Sequence, residues 1–148
     1  MFRLNKRGFT LVEAVASIFI ITLVLTSAIS IIINIRNHTV AANEKILASE
    51  VGARIRDDLI NDTTYAEMDA WMGSSDILVT SSTCVSSSAP FTCSLFTYTN
   101  GGDVYDTNVT LRFLAPTTES ALYQVIHFEV IINYYSSRTI IIEGIIYE

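Results

Sequence analysis

The hydrophobic pattern of the 148-residue chain begins with one long apolar stretch. From Ala14 to Ile35 there is no charged residue, and the side chains are apolar apart from small hydroxyl residues and one asparagine. A helix over this stretch, at about 1.5 Å per residue, spans roughly 33 Å, the thickness of a bilayer's hydrocarbon core. We therefore predict a membrane-spanning helix. The alternative is a buried helix of a soluble protein, but such helices rarely lack a polar face.

Beyond Ile35 the helical period continues and becomes amphipathic. Apolar residues follow one stripe, mostly at i+4 spacing, with Ile46 and Ile60 beside it: Val40, Leu47, Val51, Ile55 and Leu59. We predict one helix from about Thr10 to Asn61, apolar all round in its first half and amphipathic in its second. We expect the C-terminal half of the chain to pack on this stripe, because an isolated amphipathic helix is only marginally stable in water.

The C-terminal half of the chain has the alternation of β-strands. We predict a short edge strand at 76–80, a hairpin over 95–105 with its turn at 100–102, and strands at 109–113, 126–134 and 138–147. An antiparallel sheet of about four strands, packed on the second half of the helix, buries both apolar surfaces. The predicted fold class is therefore α+β.

Composition and charge exclude several classes of protein. Half of the residues are hydrophobic and 16% are charged, and the net charge is −6, so the chain is neither a disordered polyelectrolyte nor a basic nucleic-acid binder. Arg112 and Arg138 alone make a poor basic patch, and DNA binding by the head stays open. His38 and His127 stand alone, which favours surface or strand positions over metal ligation. No phosphate loop or nucleophile elbow occurs, so we predict no catalytic residues and no cofactor.

Three basic residues precede the apolar stretch: Arg3, Lys6 and Arg7. Positive residues stay on the cytoplasmic side of a membrane, so we predict that the N-terminus is inside and the rest of the chain outside. An ordinary secretory signal is the alternative. Its apolar core is shorter, and residues 27–30 make a poor cleavage site because the apolar helix continues beyond them.

Glu13 lies one turn inside the apolar segment, where an acidic side chain costs about 2 kcal/mol or more and marks a functional site by default. The alternative is a first-turn carboxylate that the helix dipole favours and that reaches the interface. The stretch from Lys6 to Glu13, Lys-Arg-Gly-Phe-Thr-Leu-Val-Glu, resembles the processing motif of type IV prepilins and pseudopilins. The short basic leader before it and the long apolar run after it complete the resemblance.

The resemblance implies that a prepilin peptidase cuts after Gly8 and methylates the new N-terminus at Phe9. It implies that Glu13 neutralises the Phe9 amine of a neighbouring subunit in a filament, a pairing that a low dielectric strengthens. In chain order, the implied parts are a leader at 1–8, a transmembrane or filament-core helix at 9–35, its amphipathic continuation at 36–61, and an extracytoplasmic head at 62–148. The protein is then a structural subunit and not an enzyme.

The resemblance also implies partners: the peptidase, other pilin subunits, membrane lipid, and an inner-membrane assembly platform driven by an ATPase. Major type IVa pilins usually carry a helix-breaking Gly and Pro in the membrane half, where this chain has Thr22 and Ser30. We therefore expect an unbroken helix and favour a minor pilin or a pseudopilin, serving DNA uptake in competence, type II secretion, adhesion or motility. The alternatives are a signal-anchored membrane protein with a ligand-binding head and, more distantly, an anchored hydrolase.

Cys84 and Cys93 flank a Ser-rich segment of the head. A head outside the cytoplasm can keep a disulfide, so we predict a structural bridge between them. Two free thiols or a redox pair are the alternatives, although the spacing is not Cys-x-x-Cys. Trp71, together with Met68 and Met72, is predicted to pack at the junction of helix and sheet.

An oxygen-rich loop follows the second cysteine and contains Asn100, Asp103, Asp106 and Asn108. Some major pseudopilins bind calcium in such a loop, so the resemblance makes this loop a candidate site. The spacing matches no EF-hand, and Asn, Asp and Gly also make turns without a metal. We predict turns here and no metal site.

Overall fold

A computed structural model describes residues 10–100, 103–104, 109–135 and 137–147. The chain divides into two compact units between Val40 and Ala41. The first helix, α1 (Leu11–Asp62), begins in the first unit and ends in the second, without a break at Thr22 or Ser30. The predicted long, unbroken helix is thereby confirmed. The predicted ranges for leader, membrane helix, continuation and head stay predictions.

The first unit consists, in its described part, of the apolar half of α1. Side chains on every side of this half are exposed, from Leu11 to Ile35. The helix is long and apolar enough to cross a membrane. This unit therefore has no apolar core of its own among the described residues, and its surface is one that lipid or other helices would cover.

The second unit combines the rest of α1 with the sheet and several short helices. In chain order, these elements are α2 (Tyr65–Met72), β1 (Ile77–Thr80), α3 (Ser81–Ser87), a 3₁₀ helix (Cys93–Thr97), β2 (Thr99–Asn100), β3 (Asp103–Val104), β4 (Val109–Phe113), α4 (Thr118–Leu122), β5 (Ile126–Tyr134) and β6 (Arg138–Ile146). The main sheet has the order β1-β4-β5-β6 with antiparallel neighbours, and β2 pairs with β3 separately. The predicted α+β, pilin-like fold is confirmed.

The core lies between α1 and one face of the main sheet. The helix contributes Val51, Ile55 and Leu59, which pack with the inward residues of the strands, among them Phe113 and Phe128. Each additional helical turn in apolar contact with the sheet removes surface of both elements from water. This burial stabilises the fold by about 25 cal/mol per Å² of apolar surface. The predicted stripe is confirmed at these three helical positions.

The predicted stripe differs from the structure at its N-terminal end, Val40, and at Ile46 beside it. Val40 and Ile46 are exposed, Ile46 to 64% of its surface. At about 100° per residue, Ile46 lies on the side of the helix opposite Ile55. The buried face continues instead through the small residues Ala48 and Ala41, which let the helix approach its neighbours closely.

Two parts of the head were predicted wrongly. The first strand of the predicted hairpin does not include residues 95–97, which belong to the 3₁₀ helix. Leu95 and Phe96 are adjacent and both buried, which a strand with one wet face does not allow. The prediction also lacked three short helices: α2, α3 and α4. Each follows a threonine that takes part in a capping box, Thr64, Thr80 and Thr117.

Candidate functional site

The residues that carry the predicted processing lie at the extreme N-terminus. Arg3, Lys6, Arg7, Gly8 and Phe9 all fall outside the residues that the structure describes. Cleavage after Gly8, methylation of Phe9 and the role of the leader charges therefore stay predictions. The described site begins one residue later, at Thr10.

Thr10 and Glu13 form a reciprocal cap at the start of α1. One carboxylate oxygen of Glu13, Oε2, accepts hydrogen bonds from the Thr10 backbone N–H (3.0 Å) and from the Thr10 hydroxyl (2.9 Å). The Thr10 Oγ1 in turn accepts from the Glu13 backbone N–H (3.2 Å). This is a capping box, which satisfies two otherwise unpaired N–H groups of the first helical turn. The Glu13 carboxylate thus caps the N-terminus of the helix in addition to carrying a charge.

Thr10 was not predicted from the sequence as a partner of Glu13. The signal was present, because Thr-x-x-Glu immediately before an apolar run is the sequence pattern of this cap. Between Leu11 and Ile35, Glu13 is the only charged residue. Its Oε1 accepts no hydrogen bond from the described residues, so the carboxylate keeps acceptor capacity beyond its own helix.

The hydroxyl groups in the apolar half of α1 bond to its own backbone. Each donates to a carbonyl one turn earlier: Ser17 to Glu13 (2.7 Å), Thr22 to Ile18 (3.0 Å), Thr26 to Thr22 (2.9 Å), Ser27 to Leu23 (2.8 Å) and Ser30 to Thr26 (3.0 Å). Donors satisfied within the helix are compatible with a lipid environment, which offers no water as a partner. These residues therefore do not interrupt the apolar character of the helix.

Comparison with known protein families gives one match at this end of the chain. Residues 3–29 match the family model described as the prokaryotic N-terminal methylation motif, which is the type IV prepilin signature. The motif implies processing by a prepilin peptidase and assembly with other pilins, and its proteins are structural. Together with the apolar helix it fits a membrane-anchored protein. No curated protein and no solved structure matches the chain.

The predicted disulfide between Cys84 and Cys93 is present in the head. It joins the buried side of α3 to the start of the 3₁₀ helix. Beside it, the Trp71 indole donates a hydrogen bond to the Ser87 carbonyl (2.8 Å) and packs edge-on against Phe113, with ring centroids 5.6 Å apart. The disulfide and the Trp71 indole together hold α3 against the core. Trp71 therefore has the packing role that was predicted for it.

The oxygen-rich loop gives no metal site in the described part of the chain. Asp106 and Asn108 lie outside the described residues, and Asn100 and Asp103 are backbone partners in the β2–β3 pair. No group of three or more His, Cys, Asp or Glu side chains that could hold a metal occurs among the residues that the structure describes. His38 is exposed on α1, and His127 is exposed on β5.

Tyr98 connects the segment after the 3₁₀ helix to α1. Its hydroxyl donates a hydrogen bond to the Asp58 carboxylate. This bond, with burial and the nearby negative charge, raises the pKa of Tyr98 from 10.0 to about 12. No local sequence pattern indicates this contact, which joins residues 40 positions apart.

The outer face of the main sheet carries a row of charged residues. Arg112 on β4 contacts Asp76 (3.3 Å) before β1 and Glu129 (3.5 Å) on β5. The Ala115 N–H donates to Asp76 (2.7 Å), and this bond, aided by Arg112, lowers the pKa of that carboxyl. The row continues to Glu143 on β6, which lies directly opposite Glu129 in the strand register. The row consists of Asp76, Arg112, Glu129 and Glu143. Its order can be derived only from the three strand pairings of the main sheet.

Proposed function

We propose that the chain is a structural subunit, a minor pilin or a pseudopilin, of a type IV pilus-like filament. The observation that carries the proposal is the methylation motif over residues 3–29, joined to an unbroken apolar helix with Glu13 in its first turn. In the proposed cycle, the peptidase cuts after Gly8, the helix waits in the cytoplasmic membrane with its N-terminus inside, and an ATPase-driven platform moves it into the filament.

Removal of the leader changes the electrostatics of the N-terminus. Cleavage after Gly8 takes away Arg3, Lys6 and Arg7, which would hold the chain on the cytoplasmic side. The side-chain balance then changes from nine basic and fifteen acidic residues to six basic and fifteen acidic. The new amine of Phe9 stays cationic after a single methylation. It is the one positive group left at this end of the apolar helix.

Glu13 supplies the acceptor for that amine in a neighbouring subunit. A carboxylate offers about four acceptor positions, and the described residues of its own chain use only those of Oε2 that face Thr10. Capping by Thr10 holds the side chain at the helix start, so it needs little reordering to pair with an incoming cation. Apolar contacts supply the bulk of the association energy, and the pair fixes the axial register.

Mass spectrometry of the membrane-extracted protein, produced with and without a prepilin peptidase, tests the proposal. We expect loss of residues 1–8 and the mass of one methyl group on Phe9 only when the peptidase is present. Gly8→Leu is the matched control and should remain uncut, because a side chain at this position obstructs the approach of the enzyme. An intact N-terminus in the presence of active peptidase would instead favour a signal-anchored protein.

A further inference from the structure

β6 is an open edge of the main sheet. It stands at the end of the strand order and pairs with β5 over its full nine residues, from Arg138 opposite Tyr134 to Ile146 opposite Ile126. In an antiparallel pair, every second residue turns its N–H and C=O away from the partner strand. The far side of β6 therefore presents a row of backbone donors and acceptors that no described strand uses.

Most of the features that normally protect an edge strand are missing from β6, whose only charged residues are Arg138 at its first position and Glu143. It has no proline, no lysine and no interruption of its register, and five of its nine residues are isoleucine. The other edge, β1, has four residues and continues directly into α3, which packs against it. A long, regular, apolar edge favours pairing with another chain.

The outer face of β6 adds a chemical preference to this edge. Ile141 and Ile145 are 54% and 42% exposed, and they flank Glu143 on the same face. Glu143 lies opposite Glu129, and like charges in directly opposed positions destabilise a sheet. Arg112 contacts Glu129, whereas no cation among the described residues contacts Glu143. A positive side chain beside Glu143 would relieve this repulsion.

We infer that β6 receives an extended segment of another protein chain by strand addition. Backbone hydrogen bonds along the edge provide affinity, and alternate side chains provide selectivity. The added strand carries apolar, basic and apolar residues at alternate positions, which meet Ile141, Glu143 and Ile145 in turn. The partner is thus defined by a pattern of chemistry on one face of a strand.

The sequence argues against a second copy of this chain as the occupant. None of its nine Lys and Arg residues has an apolar side chain at both the second position before it and the second position after it. The partner strand therefore belongs to a different protein. This inference goes beyond the proposed function, and its test does not depend on leader cleavage or filament assembly.

Two synthetic peptides test the inference on the full-length protein in detergent micelles. One is Thr-Ile-Thr-Lys-Thr-Ile-Thr with blocked ends, and the other has Glu in place of Lys. We expect the Lys peptide to bind about fivefold more tightly, as a favourable cross-strand charge pair permits. Bound peptide should slow amide hydrogen exchange on the outward-directed N–H groups of β6 and leave β1 unchanged.

Charge-reversed variants make the test specific. Glu143→Lys should bind the Glu peptide better than the Lys peptide, and Glu143→Gln should bind both equally. Glu119→Lys, an equal charge change on the exposed start of α4, should keep the wild-type preference. Absence of binding, equal binding of both peptides to the wild type, protection at β1, or self-association through β6 would each overturn the inference.

Discussion

Glu13 places a carboxylate at the start of an otherwise uncharged stretch, and its proposed partner is a neighbouring Phe9 amine. We expect Glu13→Ala to be cleaved and methylated normally but to enter filaments at least about tenfold less well. Removing one member of a buried ion pair leaves the other unpaired, at a cost of about 3–5 kcal/mol. The measurement is the ratio of subunit in sheared filaments to subunit in the membrane.

Glu44→Ala is the control for this substitution. Glu44 lies on the same helix in the second unit, beyond the apolar stretch, and its removal should leave the ratio unchanged. Incorporation of Glu13→Ala at the wild-type level would contradict the proposed role of the carboxylate. Loss of cleavage in that variant would instead place Glu13 in recognition by the peptidase.

Tyr98 gives a pH-dependent prediction at the same scale. Because the pKa of Tyr98 rises from 10.0 to about 12 on folding, its hydrogen bond to Asp58 stabilises the fold fully below pH 10. The contribution is lost as the pH rises from 10 towards 12. We expect Tyr98→Phe to be less stable by about 1–3 kcal/mol at pH 8 and to approach the wild type near pH 12.

Thermal unfolding followed by near-ultraviolet circular dichroism measures this difference at each pH. Tyr123→Phe is the control, since Tyr123 is 74% exposed and should show no difference at either pH. An absorbance titration should also lose its highest tyrosinate transition in Tyr98→Phe. A constant difference between the two proteins from pH 8 to pH 12 would contradict the assigned hydrogen bond.

At the scale of elements, two glycines allow α1 and the sheet to approach each other. A methyl group at Gly144 on β6 would overlap the Phe128 ring and lie 2.9 Å from Cγ of Arg56. A methyl group at Gly52 on α1 would meet the flexible ends of Ile142 and Ile132. We expect Gly144→Ala to destabilise by about 1–3 kcal/mol, because a packed ring cannot move aside.

Gly52→Ala is the matched comparison. The added helix propensity, about 1 kcal/mol, offsets the movement of the isoleucine ends, so its net effect should be small. Unfolding midpoints of the two variants, measured side by side, test the difference. Equal destabilisation by both substitutions would show that the close approach at Gly144 is not the tighter of the two.

The elements that were predicted correctly are those that bury one face and therefore show a regular pattern of apolar and polar residues. Val109, Leu111 and Phe113 alternate with polar residues because one face of β4 is buried, and the prediction of this strand matches its observed bounds. The missed helices α2, α3 and α4 are five to eight residues long, too short to show a periodic stripe. Their capping threonines were visible but are common in turns as well.

At the scale of the whole molecule, the second unit, which begins at Ala41, has its own core. Every buried apolar side chain among the described residues lies at Ala41 or beyond. We therefore expect a fragment that begins at Ala41, produced under oxidising conditions, to fold without lipid and unfold in one cooperative transition. Near-ultraviolet circular dichroism and size-exclusion chromatography measure this, and a molten or aggregated fragment would contradict it.

A candidate site could be proposed from the sequence at the N-terminus, whereas the contacts within the head could not, for a physical reason. The processing motif is continuous in sequence, so Gly8, Phe9 and Glu13 could be named without a fold. The contacts of Tyr98 with Asp58 and of Arg112 with Asp76 join residues 40 and 36 positions apart. Such pairs depend on strand register and on the side of α1 that faces the sheet, which local patterns do not specify.

The internally bonded hydroxyls of α1 have a consequence for subunit traffic under the proposed function. Ser17, Thr22 and Thr26 carry their acceptors on the same helix, so a change of surroundings breaks none of these bonds. Passage from bilayer to fibre then exchanges lipid tails for neighbouring side chains of similar polarity, with little net solvation penalty in either direction. A subunit withdrawn by disassembly would re-enter the membrane intact and be available for another round of use.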